Sequence, residues 1–109
     1  MPEPRIRITI VDDTSGRETC EGNCGVDWSS PEAFGEALQK VAERFGDRAR
    51  LAYVDLPNAR QTRNLAAMKR RIEGMPLPVL LANGKPRIAG EFDTRQLMDV
   101  IEADLEENL

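Results

Sequence analysis

The sequence predicts an α/β domain in which a four-stranded mixed sheet is flanked by three helices, in the order βαβαββα. Short apolar stretches of the kind that form strands come between longer stretches whose apolar residues recur at helical spacing. Two short stretches near the end of the chain are joined directly by an Asn-Gly dipeptide, which indicates a hairpin. Two βα units, a hairpin and a last helix therefore account for the whole pattern.

Length and composition agree with this prediction. The chain has 109 residues, of which 40% are hydrophobic and 31% are charged, as is typical of a globular protein. A chain of this length is expected to fold as one domain covering residues 1–109. Because only 5% of the residues are aromatic, the core is expected to be mainly aliphatic.

The four strands are predicted from the spacing of apolar residues. Residues 5–11 alternate between isoleucine and polar side chains, so one face of this strand is expected to be buried. Residues 50–56 are apolar on both faces, which is typical of a buried parallel strand. Residues 78–82 and 87–90 are predicted to pair as the hairpin around the Asn-Gly turn.

The first helix is predicted from its capping residues and its apolar stripe. Either Ser29, with Glu32 in a capping box, or Ser30, with proline at the first helical position, fits the N-terminal cap. Gly46 is a natural end for this helix. The residues expected to form its apolar stripe are Phe34, Ala37, Leu38, Val41 and Phe45.

The second and third helices are predicted in the same way. The Pro-Asn dipeptide at position 57 is expected to open the second helix, and Gly74 is expected to end it. Either Asp93 or Thr94 fits the cap of the third helix. The residues expected to face the core are Leu65, Met68 and Ile72 in the second helix, and Leu97, Met98, Ile101 and Leu105 in the third.

Residues 14–28, between the first strand and the first helix, have neither helical nor strand periodicity. Asp12 and Asp13 are predicted to end the strand before this segment. Such a long irregular segment in a small domain is typical of a functional or a disordered region, and it contains both cysteines and the only tryptophan. Trp28 is expected either to shield the thiols or to act as a hydrophobic staple in front of the first helix.

The two cysteines, Cys20 and Cys24, carry the reactive chemistry of the sequence. The chain contains no histidine, which excludes Cys–His and Ser–His catalysis and removes a common zinc ligand. The CxxxC spacing, with Gly22 and Asn23 inside it, allows the two Cα atoms to approach within the disulfide range of about 4.4–6.8 Å. Two close thiols in a reducing compartment indicate redox or metal-binding work, and the plainer alternative is a pair of incidental thiols.

Charge and hydropathy limit the partners that are expected. The formal net charge of −4 gives no general attraction to nucleic acids or anionic membranes. No apolar run approaches the roughly 18 residues that cross a bilayer, and the N-terminus has no signal-peptide pattern, so a cytoplasmic location is expected. No cofactor is expected. The basic residues near the second helix, expected to form a solvated face, are Arg60, Arg63, Lys69, Arg70 and Arg71.

The element order, the position of the cysteine pair and the segment 77–84 resemble the thioredoxin-like superfamily. The run Leu-Pro-Val-Leu-Leu-Ala-Asn-Gly in that segment is similar to the glutaredoxin-type proline, apolar strand and Asn-Gly turn. The resemblance covers residues 6–105 and implies a thioredoxin-like fold with a cis peptide bond before Pro78. Pro76 is the competing position for that proline, with a less suitable spacing to the turn.

The same resemblance implies an activity. In thioredoxin-like proteins the corresponding residues carry out thiol–disulfide exchange, so that the protein would be an oxidoreductase. Cys20 would be the attacking thiol, Cys24 the resolving thiol and Pro78 a backbone shelf for a substrate strand. The implied partners are protein thiols or disulfides, or a reductase.

The cysteine spacing also resembles a second group of thioredoxin-like proteins. Thioredoxins have two residues between their cysteines, whereas three residues separate Cys20 from Cys24 here. The Cys-Gly dipeptide at position 24 and the later Leu-Pro dipeptide are similar to the arsenical-resistance metallochaperones. This implies a carrier that binds a soft metal or arsenite through Cys20 and Cys24, with Thr19 at the position of that family's third thiol. A non-catalytic interaction module with the same fold is the remaining alternative.

Overall fold

The elements follow one another in the predicted order, βαβαββα. The structure, a computed structural model, describes residues 6–13, 28–60 and 62–107. The strands are β1 (Ile6–Asp12), β2 (Ala49–Asp55), β3 (Val79–Ala82) and β4 (Lys85–Ala89), and the helices are α1 (Pro31–Phe45), α2 (Arg63–Ile72) and α3 (Thr94–Glu107). Two short 3₁₀ turns, Gly46–Arg48 and Leu56–Asn58, flank β2.

The four strands form one mixed sheet in the order β2-β1-β3-β4. Strand β1 runs parallel to β2 and antiparallel to β3, so it is paired along both of its edges. Strands β3 and β4 form the predicted hairpin, and Asn83 and Gly84 both have the positive φ angles that a two-residue turn of this type requires. The α/β class and the mixed four-stranded sheet with three helices are therefore confirmed.

The core is divided by the sheet into two unequal clusters. Helices α1 and α3 cover one face of the sheet, and the isoleucine side chains of β1 point into that side. Helix α2 covers part of the other face, where a smaller cluster forms. The smaller cluster contains Val11, Ile72, Val79 and Leu81, with Leu56, Met68, Met75 and Leu77 packed against it.

Two helix caps decide between the alternatives that the sequence leaves open. Ser30 caps α1, since its hydroxyl accepts a hydrogen bond from the Ala33 amide at 3.5 Å. Asp93 caps α3 through a reciprocal pair of hydrogen bonds, in which the Gln96 amide donates to the Asp93 carboxylate at 2.8 Å and the Asp93 amide donates to the Gln96 side chain at 2.9 Å.

The start of α2 differs from the prediction. The Pro-Asn dipeptide at position 57 lies in a 3₁₀ turn, and the helix begins at Arg63. The Thr62 hydroxyl accepts a hydrogen bond from the Leu65 amide at 3.1 Å, which satisfies one of the free amides of the first turn. Proline suits the first turn of either kind of helix, so the sequence alone did not distinguish them.

Two expectations about burial were wrong. Strand β2 lies at an edge of the sheet, and Ala52 is exposed, because the short helix α2 does not extend over it. Leu38, predicted to face the core from α1, is 40% exposed. The remaining residues of the three predicted stripes are buried or partly buried. Within the described ranges, no helix combines the length and the apolar character that crossing a bilayer requires.

Leu97→Ala is expected to lower the free energy of unfolding by about 2–5 kcal/mol, because it leaves a cavity at a fully buried position. Leu38→Ala removes the same atoms from a largely exposed position and is expected to cost less than about 0.5 kcal/mol. Urea unfolding followed by circular dichroism measures both changes. Equal losses in the two variants would contradict the packing of α3 against the sheet.

Asp93→Ala is expected to cost about 1 kcal/mol of stability, since it removes the side chain that caps α3. Asp93→Asn is the matched control, because asparagine caps helices about as well as aspartate. Thermal unfolding of the three proteins at one pH makes the comparison. A loss in Asp93→Asn as large as that in Asp93→Ala would show that the charge, and not the cap, matters.

Candidate functional site

Of the predicted site residues, Pro78 lies within the described structure and the two cysteines lie outside it. Cys20 and Cys24 lie in residues 14–27, which we call the cysteine segment and which is outside the described residues. Pro78 is described, as are Asp13 and Trp28, the residues on either side of the cysteine segment. The site can therefore be built from the frame that holds the two ends of this segment.

Pro78 lies at the end of the sheet where the cysteine segment leaves β1. The last residue pair in the register between β1 and β3 is Val11 with Val79. Because the strands are antiparallel, one further step of the same register brings Pro78 beside Asp12. The Leu77–Pro78 peptide bond is cis, as the resemblance to thioredoxin-like proteins implies.

The turn containing Pro78 is held by the backbone of Gly90. The Gly90 amide donates hydrogen bonds to the carbonyl oxygens of Pro76 and Pro78, each at 2.9 Å. Gly90 has a φ angle of +97°, a conformation that residues with a side chain rarely adopt. The end of β4 thus fixes the position of the proline turn relative to the sheet.

Leu77, between the two acceptors of Gly90, has backbone groups that are unpaired among the described residues. In the part of the chain that the structure describes, no group forms a hydrogen bond with the amide or the carbonyl of Leu77. Its side chain packs on the smaller core cluster and is half-buried. An amide and a carbonyl available side by side are the groups that an extended peptide uses to add to a strand.

A buried carboxylate lies at the end of β1, beneath the point where the cysteine segment begins. Asp12 is 2% exposed, and its side chain accepts hydrogen bonds from the Asp13 amide at 2.9 Å and the Tyr53 hydroxyl at 3.4 Å. The sequence predicts that Asp12 and Asp13 end the strand, with a proton relay near the thiols as the alternative, and Asp12 is the last residue of β1. Its burial gives this end of the sheet a carboxylate shielded from solvent.

Trp28 fixes the other end of the cysteine segment. Its ring is 1% exposed and stacks on Phe92 at 5.1 Å between ring centroids. The aromatic partner of Trp28 therefore lies in the segment after β4, and the core cluster that contains Trp28 also includes Ala37 and Val41 of α1. The role of Trp28 as a hydrophobic staple stays a prediction, and the thiols that it was expected to shield lie outside the described residues. The buried indole N–H has no acceptor among the described residues.

Two residues of this frame were missed in the sequence. Gly90 and Phe92 follow β4, and neither belongs to a recognisable motif. A glycine at the end of a predicted strand, followed by an aromatic residue before a helix cap, was the available signal. Their roles depend on contacts with Pro78 and Trp28, which are distant in the sequence.

Gly90→Ala is expected to lower stability by about 1–3 kcal/mol, because alanine is strained at a φ of +97°. The added Cβ has room, since its nearest neighbour is a Pro76 side-chain atom at 3.6 Å, so the cost comes from the backbone. Gly35→Ala is the control: it lies in α1 with nothing within 4 Å and is expected to stabilise the protein by about 0.5–1 kcal/mol. Chemical denaturation of both variants tests whether the free energy of unfolding falls in Gly90→Ala and rises in Gly35→Ala.

Comparison with known proteins supports the fold and leaves the activity open. No family model and no curated protein matches this chain. The crystal structure of a protein of unknown function from Staphylococcus aureus is similar, with a TM-score of 0.58 and 14% sequence identity. The similarity covers 92% of this chain and 91% of that one. The α/β architecture of the described residues is therefore also found in a solved structure.

Proposed function

We propose that the protein carries out thiol–disulfide exchange through Cys20 and Cys24. The observation that supports this most directly is the position of Pro78 at the end of the sheet where the cysteine segment leaves β1. The return of the segment is linked to the same turn, since Trp28 stacks on Phe92 and Gly90 is bonded to Pro78. Both described ends of the cysteine segment are thereby linked to the turn that contains Pro78.

Chain length limits the distance between each cysteine and the described residue at its end of the cysteine segment. Four residue steps separate Cys24 from Trp28, which corresponds to at most about 14 Å between their Cα atoms. Seven steps separate Asp13 from Cys20, or at most about 25 Å. Both limits are compatible with thiols that meet a substrate bound at the backbone of Leu77.

The proposed reaction needs only the two thiols and a substrate disulfide. The Cys20 thiolate attacks one sulfur of the substrate, a mixed disulfide forms, and the other substrate sulfur leaves as a thiolate that takes up a proton. The Cys24 thiolate then attacks the sulfur of Cys20 and releases the second substrate thiol. Two electrons pass to the substrate, the protein is left with a Cys20–Cys24 disulfide, and a dithiol reductant restores it.

The proposal includes a cytoplasmic location. A chain with only two cysteines lacks the several disulfides that stabilise many small secreted domains. A dithiol that is returned to the reduced state by a cellular reductant suits a reducing compartment. The proposed partners are accordingly protein disulfides as substrates and a thiol reductase as electron donor.

Cys20→Ser is expected to abolish exchange, whereas Cys24→Ser is expected to accumulate a mixed disulfide with the substrate, since the resolving thiol is gone. Reduction of a small disulfide such as hydroxyethyl disulfide measures activity, and mass spectrometry after alkylation identifies the mixed disulfide. In the unsubstituted protein, a graded dithiothreitol series is expected to convert Cys20–Cys24 between disulfide and dithiol. Circular dichroism of each serine variant verifies that the fold is retained.

Thiols that stay reduced at mildly oxidising potentials would overturn the proposal. The reduced protein is therefore also titrated with Zn(II), Cu(I) and As(III), because soft ions prefer thiolate ligands. Stoichiometric binding without exchange would replace the proposed activity with that of a metal or metalloid carrier. If the protein neither exchanges disulfides nor binds these ions, a non-catalytic interaction module is the function that remains for the fold.

A further inference from the structure

A groove lies between α2 and the face of the sheet that α2 only partly covers. Its volume is about 480 Å³, within the range of small-molecule sites. Arg7 and Thr9 of β1, Asn64 and Arg71 of α2, and the Asn83-Gly84 turn line it. The groove is near the start of β1, whereas Pro78 is near its end, so it is separate from the cysteine site.

Hydrogen bonds fix the wall of this groove in advance of any ligand. The Arg7 amide donates to the Asn83 side-chain oxygen at 2.8 Å, and the Asn83 amide donates back to the Arg7 carbonyl at 2.8 Å. The Arg71 guanidinium donates to the Gly84 carbonyl at 2.9 Å. A Cβ atom at Gly84 would collide with that guanidinium, so glycine is what allows Arg71 to lie against the turn.

The groove concentrates positive charge that the described structure does not neutralise. Arg7 and Arg50 are partners across β1 and β2, and their side chains share one face because their neighbours point into the core on the other. Like charges directly opposite one another are unfavourable in a sheet. Within the described ranges, none of the ion pairs involves Arg7, Arg50 or Arg71.

The surroundings strengthen the field of these arginines. Helix α2 contains no acidic residue, and none of the described residues that line the groove has a carboxylate. Thus a chain with a net charge of −4 presents a basic groove on one face. An anion that binds here relieves the repulsion between Arg7 and Arg50, so binding is favoured both by new contacts and by the removal of an unfavourable one.

The chemistry of the lining selects the kind of anion. Guanidinium groups match the oxygens of a phosphate with two parallel hydrogen bonds, and the amide of Asn64 and the hydroxyl of Thr9 add neutral hydrogen-bonding groups. Met68 and Leu81 supply an apolar wall, which free phosphate does not need. Among the described residues, no aromatic ring lines the groove, so they do not form the stacking surface with which proteins bind single-stranded nucleic acids.

We propose that this groove is a binding site for a small organic phosphate, with the phosphoryl group between Arg7 and Arg71 and the organic part against Met68 and Leu81. Arg50, beside the groove, adds electrostatic attraction without lining it. The proposal concerns a different surface from that of the cysteine segment and stands whether or not Cys20 and Cys24 exchange disulfides.

A titration of ¹⁵N-labelled protein with phenyl phosphate tests the proposal. Saturable shifts are expected for the amides of Arg7, Asn83 and Gly84. Inorganic phosphate is expected to shift the same amides more weakly, because it lacks the apolar part. Benzoate at the same ionic strength tests whether any aromatic anion suffices, and shifts as tight as those with phenyl phosphate would overturn the assignment to phosphate.

Arg7→Gln is expected to weaken phenyl phosphate binding by about tenfold, the loss of one charge-assisted hydrogen-bond pair. Arg95→Gln removes the same charge from an exposed position on α3, on the opposite side of the sheet, and is expected to leave binding unchanged. Arg50→Gln is expected to weaken binding by about two- to fivefold through lost attraction alone. This variant keeps the proposal testable if Arg7→Gln does not fold.

The results that contradict the proposal are equally specific. The proposal would be overturned if the amide shifts do not saturate at phenyl phosphate concentrations up to about 10 mM, because most functional sites bind their ligands more tightly than this. If Arg95→Gln and Arg7→Gln weaken phenyl phosphate binding equally, binding depends only on the net charge of the protein, and the proposal is overturned. The Cys20→Ser, Cys24→Ser double variant is expected to bind phenyl phosphate unchanged, which separates this site from the proposed exchange reaction.

Discussion

The pairing register of β1 is the constraint on which the rest of the structure depends. Ile6, Ile8 and Ile10 are fully buried beneath α1 and α3, and burial of each such side chain contributes about 1.5–3 kcal/mol. A slip of one residue would turn these side chains to the opposite face and bring Arg7 into the core. The same register sets Val11 against Val79, and so determines what lies at each end of the strand.

The two faces of the sheet are covered unequally, and this separates two surfaces of different chemistry. Two long helices fill one face, whereas α2, with 10 residues, covers only part of the other. The uncovered part lies at the start of β1 and carries arginines, while the proline turn lies at its end, about 17 Å away for five residue steps. A molecule in the groove would therefore leave the proline turn accessible.

Local patterns in the sequence predicted most of the fold, because they record constraints that neighbouring residues impose on one another. The alternation in β1 and the Asn-Gly turn are of this kind, and both were confirmed. The exposed edge position of β2, the stacking of Trp28 on Phe92 and the pairing of Arg7 with Arg50 depend on which distant segments meet. Propensity and periodicity carry no information about such encounters, so these features required the structure.

The anchoring of Trp28 has a consequence for how this protein can change over generations. Strand β1 is held by its pairing and Trp28 by Phe92, so each end of the cysteine segment is held by contacts among the described residues. Closing a longer segment between two fixed ends costs little, about 0.6 kcal/mol for each doubling of its length. Insertions and deletions within residues 14–27 are thus expected to alter the spacing of the thiols at only a small cost in loop-closure entropy.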